Sequence, residues 1–187
     1  MAISEEWTDP DSLEISVGDL PRASWANALL GNILYNYGGP RVTVARNTDL
    51  PVDDGQFTTV PWETVLTETP DGAWWDSGSP GALVVPRDGV YLVSVRLLWD
   101  SNSEGRRDFR LLRDGDPVAG DKRPALQFVE IGSTLQVTLN QGQSLACEVR
   151  QTSGETHSLL AEGPVATSTP YRSPIMQVRW DAPTDGG

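Results

Sequence analysis

Cysteine and histidine each occur once among the 187 residues, as Cys147 and His157. A lone cysteine excludes an intrachain disulfide. The pair supplies too few of the ligands from which a zinc site is built. A serine or cysteine hydrolase would have to bring His157 beside its nucleophile. Basic residues are also scarce, with 14 Lys and Arg against 26 Asp and Glu, a formal net charge of -12. Such a surface repels nucleic-acid phosphates. The densest basic stretch, Arg106-Arg107 to Arg113, is interrupted by Asp108, so no nucleic-acid partner is expected. No apolar run approaches the ~18 residues that a membrane span requires. The opening MAISEEWTDP is acidic and has no apolar core of a secretory leader, so the expectation is synthesis in a cytoplasm and no membrane partner.

Turn formers are plentiful, with 18 Gly and 14 Pro, which fits many short strands. Residues 1–20 read as an extended arm. Residues 21–37, PRASWANALLGNILYNY, read as a helix that Asp19 caps, with Pro21 in its first turn and Gly38-Gly39-Pro40 beyond its end. Trp25, Leu29 and Ile33 share one row, and Leu30, Leu34 and Tyr37 the next. From residue 41 the period changes to two. Strands are expected at 41–47, 57–62, 83–86, 90–99 and 106–113, the last ending in an Asp114-Gly115 hairpin turn. The run VYLVSVRLLW (90–99) is apolar on both faces for much of its length, which suits a central strand covered on both sides. Leu135, Val137 and Leu139 alternate with polar residues, as do Leu145, Cys147 and Val149; the short link 140–143 suggests that these two strands pair as a hairpin. Met176, Val178 and Trp180 mark a last strand. Eight or more strands without βαβ alternation indicate an all-β antiparallel sandwich or barrel.

Little catalytic chemistry is in view. Cys147 lies on an apolar strand face and reads as a core thiol. His157, in TSGETHS, reads as a solvated loop residue. Asp49, Asp53 and Asp54 cluster in one loop and Asp114 and Asp116 in another, but no Asp-x-Asp-x-Asp-Gly calcium loop is present, so no metal is expected. Trp74-Trp75 beside Asp76 could form a sugar platform, although adjacent tryptophans in β domains more often pack or line interfaces. No glycine-rich phosphate loop opens a helix. The expectation is therefore no enzyme and no cofactor.

PRDGVYLVSVRLLWDSNSEGRRDFRLLRDGDPV (86–118), GSTLQVTLNQGQSLACEVRQTSG (132–154) and SPIMQVRW (173–180) follow one another in an order that resembles the jelly-roll domain of the complement q-type and tumour-necrosis-factor superfamily in its bacteriophage form. FTTVPWET (57–64) resembles the early strand of these phage domains. VGDLPRASWANALLGNILYNY (17–37) is similar to the Trp-containing helix that precedes them. The resemblance implies a jelly roll of about ten strands, behind an arm and one short helix, that assembles as a homotrimer on a virion. Its domains would be residues 1–40, an arm and docking helix, and 41–187, the trimerising jelly roll. The expected role is a capsid decoration protein on the exterior of the head, bound to the major capsid protein or other virion proteins. The alternative is a minor tail or fibre-tip protein recognising a host surface. Trp25, Leu29, Leu30, Ile33 and Leu34 are the candidate docking or trimer-base residues. Val90, Leu92 and Leu98, left over once the other face of 90–99 fills the core, are the candidate trimer interface. Trp74 and Trp75 are the candidate host-contact loop of the alternative.

Overall fold

A computed structural model describes residue 30 and residues 39–69, 74–125, 129–161 and 174–184. The chain divides into two compact units, Met1–Gly39 and Pro40–Gly187. The arm expected over 1–20 and most of the helix expected over 21–37 lie outside the described residues. Leu30 alone of that helix is described; it is helical and exposed.

Twelve strands make up the second unit: β1 (Arg41–Ala45), β2 (Leu50–Val52), β3 (Thr58–Thr59), β4 (Thr64–Glu68), β5 (Ala82–Val84), β6 (Gly89–Trp99), β7 (Arg106–Arg113), β8 (Asp116–Pro124), β9 (Val129–Leu139), β10 (Ser144–Gln151), β11 (His157–Leu159) and β12 (Ile175–Ala182). They form two antiparallel sheets. In the first, β6 pairs with β9 along one edge and with β12 along the other. From β12 the sheet continues to β1 and β4, while β11 joins β6 at Trp99 and carries β2. In the second, β10 pairs with β3 and β5 on one side and β7 on the other, and β8 forms the edge. The all-β antiparallel jelly roll read from the sequence is the observed architecture, with twelve strands rather than about ten.

The period-two pattern explains the core. On β6, Tyr91, Val93, Val95, Leu97 and Trp99 are buried against the second sheet, whose Phe109, Leu111, Leu145, Cys147 and Val149 face them. Met176, Val178 and Trp180 of β12 complete this layer. Each such side chain contributes about 1.5–3 kcal/mol by burial. A register shift between Leu111 and Leu112 breaks the alternation on β7, so both of these consecutive leucines are buried.

Three expectations are corrected. First, β9 and β10 do not pair as a hairpin. β9 runs along β6 from Gly89↔Leu139 to Trp99↔Val129, and β10 runs along β7 from Leu145↔Arg113 to Gln151↔Arg107. The link 140–143 carries the chain from one sheet to the other. Second, among the described residues the core buries one face of β6 and leaves the other partly open. Val90, Leu92, Ser94, Arg96 and Leu98 on its other face are half-buried. The expected strand over 57–62 is also short: only Thr58 and Thr59 are strand, and Val60 and Trp62 are buried without belonging to it. Pro61 has no amide hydrogen to give a ladder there.

Candidate functional site

The outer face of the first sheet carries the three interface candidates. Val90, Leu92 and Leu98 project from it at i, i+2 and i+8, with Ser94 and Arg96 between. Arg96 holds Glu130 of β9 through two contacts, Nε to Oε1 at 2.8 Å and Nη2 to Oε2 at 3.0 Å, the bidentate form that fixes geometry as well as charge. Ser94 and Thr134 share a hydroxyl hydrogen bond of 2.9 Å. Beside them Thr43, Gln177 and Ile175 complete an open groove of about 490 Å³. The face is thus grooved, mixed in polarity and rich in short hydroxyl side chains.

The outer face of the second sheet holds a cluster that the sequence reading missed. The Arg110 guanidinium lies 3.7 Å from the centre of the Phe57 ring, and that of Arg150 lies 4.5 Å from it. Glu148 accepts from Arg110 at 2.7 Å, and Asp108 accepts from Arg150 at 2.5 Å. The arginines of 106–113 were visible in the sequence. Their partners come from β10 and from the loop before β3, tens of residues away.

The other candidates fall as follows. Trp25, Leu29, Ile33 and Leu34 lie outside the described residues, and Leu30 is 42% exposed. Trp74 does not belong to an exposed loop: it is 1% exposed and meets Tyr91 edge to face at 5.9 Å. A tryptophan in the core gains more from burial and aromatic packing than from solvent exposure. Trp75 is half-buried, its indole N–H donating to the Pro80 carbonyl at 3.3 Å. The two rings therefore present no paired platform.

His157 is corrected as well. It opens β11 instead of lying in a solvated loop, and its side chain is 12% exposed. Nδ1 lies 2.9 Å from Asp100 Oδ1, and Nε2 lies 2.6 Å from Asn102 Nδ2. Both ring nitrogens are engaged. Cys147 is fully buried, and burial, with the charge of Glu148, pushes its thiol up to about 12. A thiol so placed is not an activated nucleophile. Between the sheets at the His157 end lies Arg107, 0% exposed. Its Nη1 donates to the carbonyls of Glu104 and Arg106, its guanidinium stands 5.3 Å from the Trp99 ring, and Nε and Nη2 have no hydrogen-bond partner. Burial lowers its pKa, and the Asp100 charge acts in the opposite sense.

The loop carboxylates are structural pins. Asp49 accepts from the Ala161 amide at 2.7 Å, Asp53 from the Thr156 hydroxyl at 2.9 Å and Asp54 from the Gly154 amide at 2.9 Å. Asp114 accepts from Ser144 and Gln143. Among the described residues no group of three or more His, Cys, Asp and Glu side chains could hold a metal ion, and no helix is long and apolar enough to cross a membrane.

No known family's sequence pattern matches the chain, and no curated protein matches it. Solved structures do. The globular domain of zebrafish complement 1qA protein is similar with a TM-score of 0.51 at 15% identity, covering 78% of this chain and 99% of that one. Murine APRIL, in its crystal structure at pH 8.5, is similar with a TM-score of 0.53 at 14% identity, covering 75% of this chain and 98% of that one. At such identities the likeness is one of fold alone, the antiparallel jelly roll.

Proposed function

We propose that the chain is a non-enzymatic structural protein of a bacteriophage virion, a homotrimeric capsid decoration protein that binds and stabilises the shell. The sequence resemblance supports the virion setting, and the jelly roll supports a binding rather than a catalytic role. The observation that carries the trimer is the outer face of β6. It sets the half-buried Val90 and Leu92 on a sheet face beside a groove, where a second copy would remove their remaining apolar surface from water. A stable interface needs about 800 Å² from each partner. The apolar face of Trp25, Leu29, Leu30, Ile33 and Leu34 is the proposed grip on the shell, with Leu30 exposed.

Light scattering on the purified chain tests the assembly. The expected mass is three times 20.3 kDa, and Leu92→Glu should lower it to one chain while circular dichroism stays unchanged. A monomer at micromolar concentration in the unaltered protein removes the trimer. Labelled antibody on intact particles tests the location. Label over the head supports decoration, label at the tail replaces it with the host-recognition role, and no label removes the virion reading.

A further inference from the structure

The end of the sandwich at which Trp99, Asp100 and His157 meet holds a group of hydrogen bonds whose directions are fixed by one another. We propose that His157, Asp100 and Asn102 form a protonation-sensitive latch that holds the β6–β7 loop (100–105) closed and releases it on acidification.

The direction of each bond follows from a single backbone amide. The Glu104 N–H can only donate, and it donates to Asn102 Oδ1 at 2.5 Å. The other end of the Asn102 amide, Nδ2, is therefore the atom that faces His157 Nε2 at 2.6 Å. An amide nitrogen only donates, so Nε2 must accept and carries no hydrogen. The ring hydrogen then sits on Nδ1 and is donated to Asp100 Oδ1 at 2.9 Å. Asp100 Oδ2 is held by the Ser158 amide at 2.9 Å. The closed loop thus requires a neutral ring with one defined tautomer.

A proton arriving at Nε2 changes one contact and keeps the other. Nδ1–H continues to face Asp100, now as an ion pair. Nε2–H faces Asn102 Nδ2, donor against donor. Turning the Asn102 amide over gives Nε2–H an acceptor but sets Nδ2 against the Glu104 N–H, and swinging the side chain away removes that acceptor altogether; either way the Glu104 bond that closes the loop is lost, and the segment from Asp100 to Glu104 is released. The charged groups around the ring are of both signs. Arg107 on β7, buried and under the influence of Asp100, would share that one carboxylate with a second cation. Asp53, just after β2, is tied to the Thr156 hydroxyl; Glu104 belongs to the latch loop itself, and Glu155 precedes His157 by two residues in the loop before β11. The far end of the loop stays fixed, because Gly105 is packed against the Thr152 carbonyl.

Amide hydrogen exchange followed by nuclear magnetic resonance on the full chain tests the latch, with rates corrected for intrinsic pH dependence. The protection of the Glu104 amide should fall at least about tenfold between roughly pH 8 and pH 5, while that of β6 amides such as Val93 stays constant. His157→Gln should abolish the change. Asn102→Asp should reverse it, because a carboxylate accepts from both the Glu104 amide and a protonated Nε2, so the loop tightens in acid. Constant Glu104 protection in the unaltered chain overturns the latch. So does an equal fall in His157→Gln, or an unreversed fall in Asn102→Asp.

Discussion

Gly105 lies so close to Thr152 that a β-carbon on the glycine would come within 1.7 Å of the Thr152 carbonyl oxygen. The glycine also has φ +71, where an L side chain is strained. Here the β6–β7 loop passes over the β10–β11 loop, and the Arg106 N–H donates to the Thr152 hydroxyl at 3.1 Å. Gly105→Ala must therefore displace backbone, not a side-chain tip. It should destabilise by about 3 kcal/mol or more, the sum of the conformational cost and the clash. Gly142 provides the comparison, with φ +82 but no atom within 4 Å of the place a β-carbon would take. Gly142→Ala should cost about 1 kcal/mol. Urea midpoints of the two variants decide the matter, and equal losses would show that the contact with Thr152 relaxes freely.

Cys147 supplies a probe of global unfolding. Its thiol is fully buried on β10, and burial, with the nearby Glu148 charge, pushes it up to about 12. Thiolate chemistry at pH 8 is then suppressed twice over, by access and by protonation. A disulfide reagent added to the folded chain at pH 8 should react no faster than the chain unfolds, and stoichiometrically once urea is present. Rapid labelling in native buffer would show that the second sheet opens locally around Leu145 and Val149.

Local chemistry in the sequence was enough to find β7 and its turn. Asp114 takes φ 50 and Gly115 φ 90, the positive values that a two-residue hairpin turn demands, and β7 ends where expected at Arg113. The alternation of Leu145, Cys147 and Val149 likewise gave their common face. What failed was pairing. Residues 134–140 and 144–150 show the same period whether they pair with each other or lie in different sheets, because the period reports which face is buried and not against which strand. The true partner of β9 is β6, some forty residues earlier, and no local signal encodes it. β8, DPVAGDKRP, is an edge strand with little apolar content, so it has no alternation to read. β11 is three residues long within a Ser/Thr/Gly segment, and only its neighbours β2 and β6 make it a strand. His157 was misread for that reason, and the Phe57 cluster was invisible because its members meet only in the folded sheet. The outer face of β6 was legible because eleven residues in one strand suffice to show an apolar surplus.

Stability in acid should depend on Asp114. Its carboxyl is held below the ordinary 3.8, first by the Ser144 amide and then by the Ser144 hydroxyl, the Gln143 amide and the Arg113 charge. A carboxyl lowered in the folded state stabilises fully above its unfolded value and loses that contribution as the pH falls through the folded value. Glu63 acts in the same sense: burial alone would raise it, but the Thr48 hydroxyl, the Asn47 and Thr48 amides and Arg46 bring it below 4.5. Asp114→Asn keeps a residue that tolerates positive φ and removes the charge. Its melting temperature should lie below that of the unaltered chain at pH 7, and the gap should close as the pH falls below about 4. A gap that is constant from pH 7 to the acid limit would show that the turn geometry, not the carboxylate, is what Asp114 supplies.

The Phe57 ring offers a test of how much the outer face of the second sheet is held by charge over an aromatic ring. Arg110 and Arg150 both approach it, at 3.7 and 4.5 Å, and each is also held by a carboxylate. Fixing the guanidiniums in this way removes much of their entropy before they meet the ring, so the ring contact should be worth more than at a typical exposed site, about 1–2 kcal/mol. Phe57→Leu keeps an apolar side chain but loses the π face, and should destabilise by about that amount. Phe57→Tyr should restore most of it. The pair term comes from a double-mutant cycle with Arg110→Met. If the Phe57→Leu loss is the same in the Arg110→Met background, the ring merely fills space. If the loss shrinks by about half, with Arg150 remaining over the ring, the guanidinium–ring contact is what ties the loop before β3 to β7 and β10.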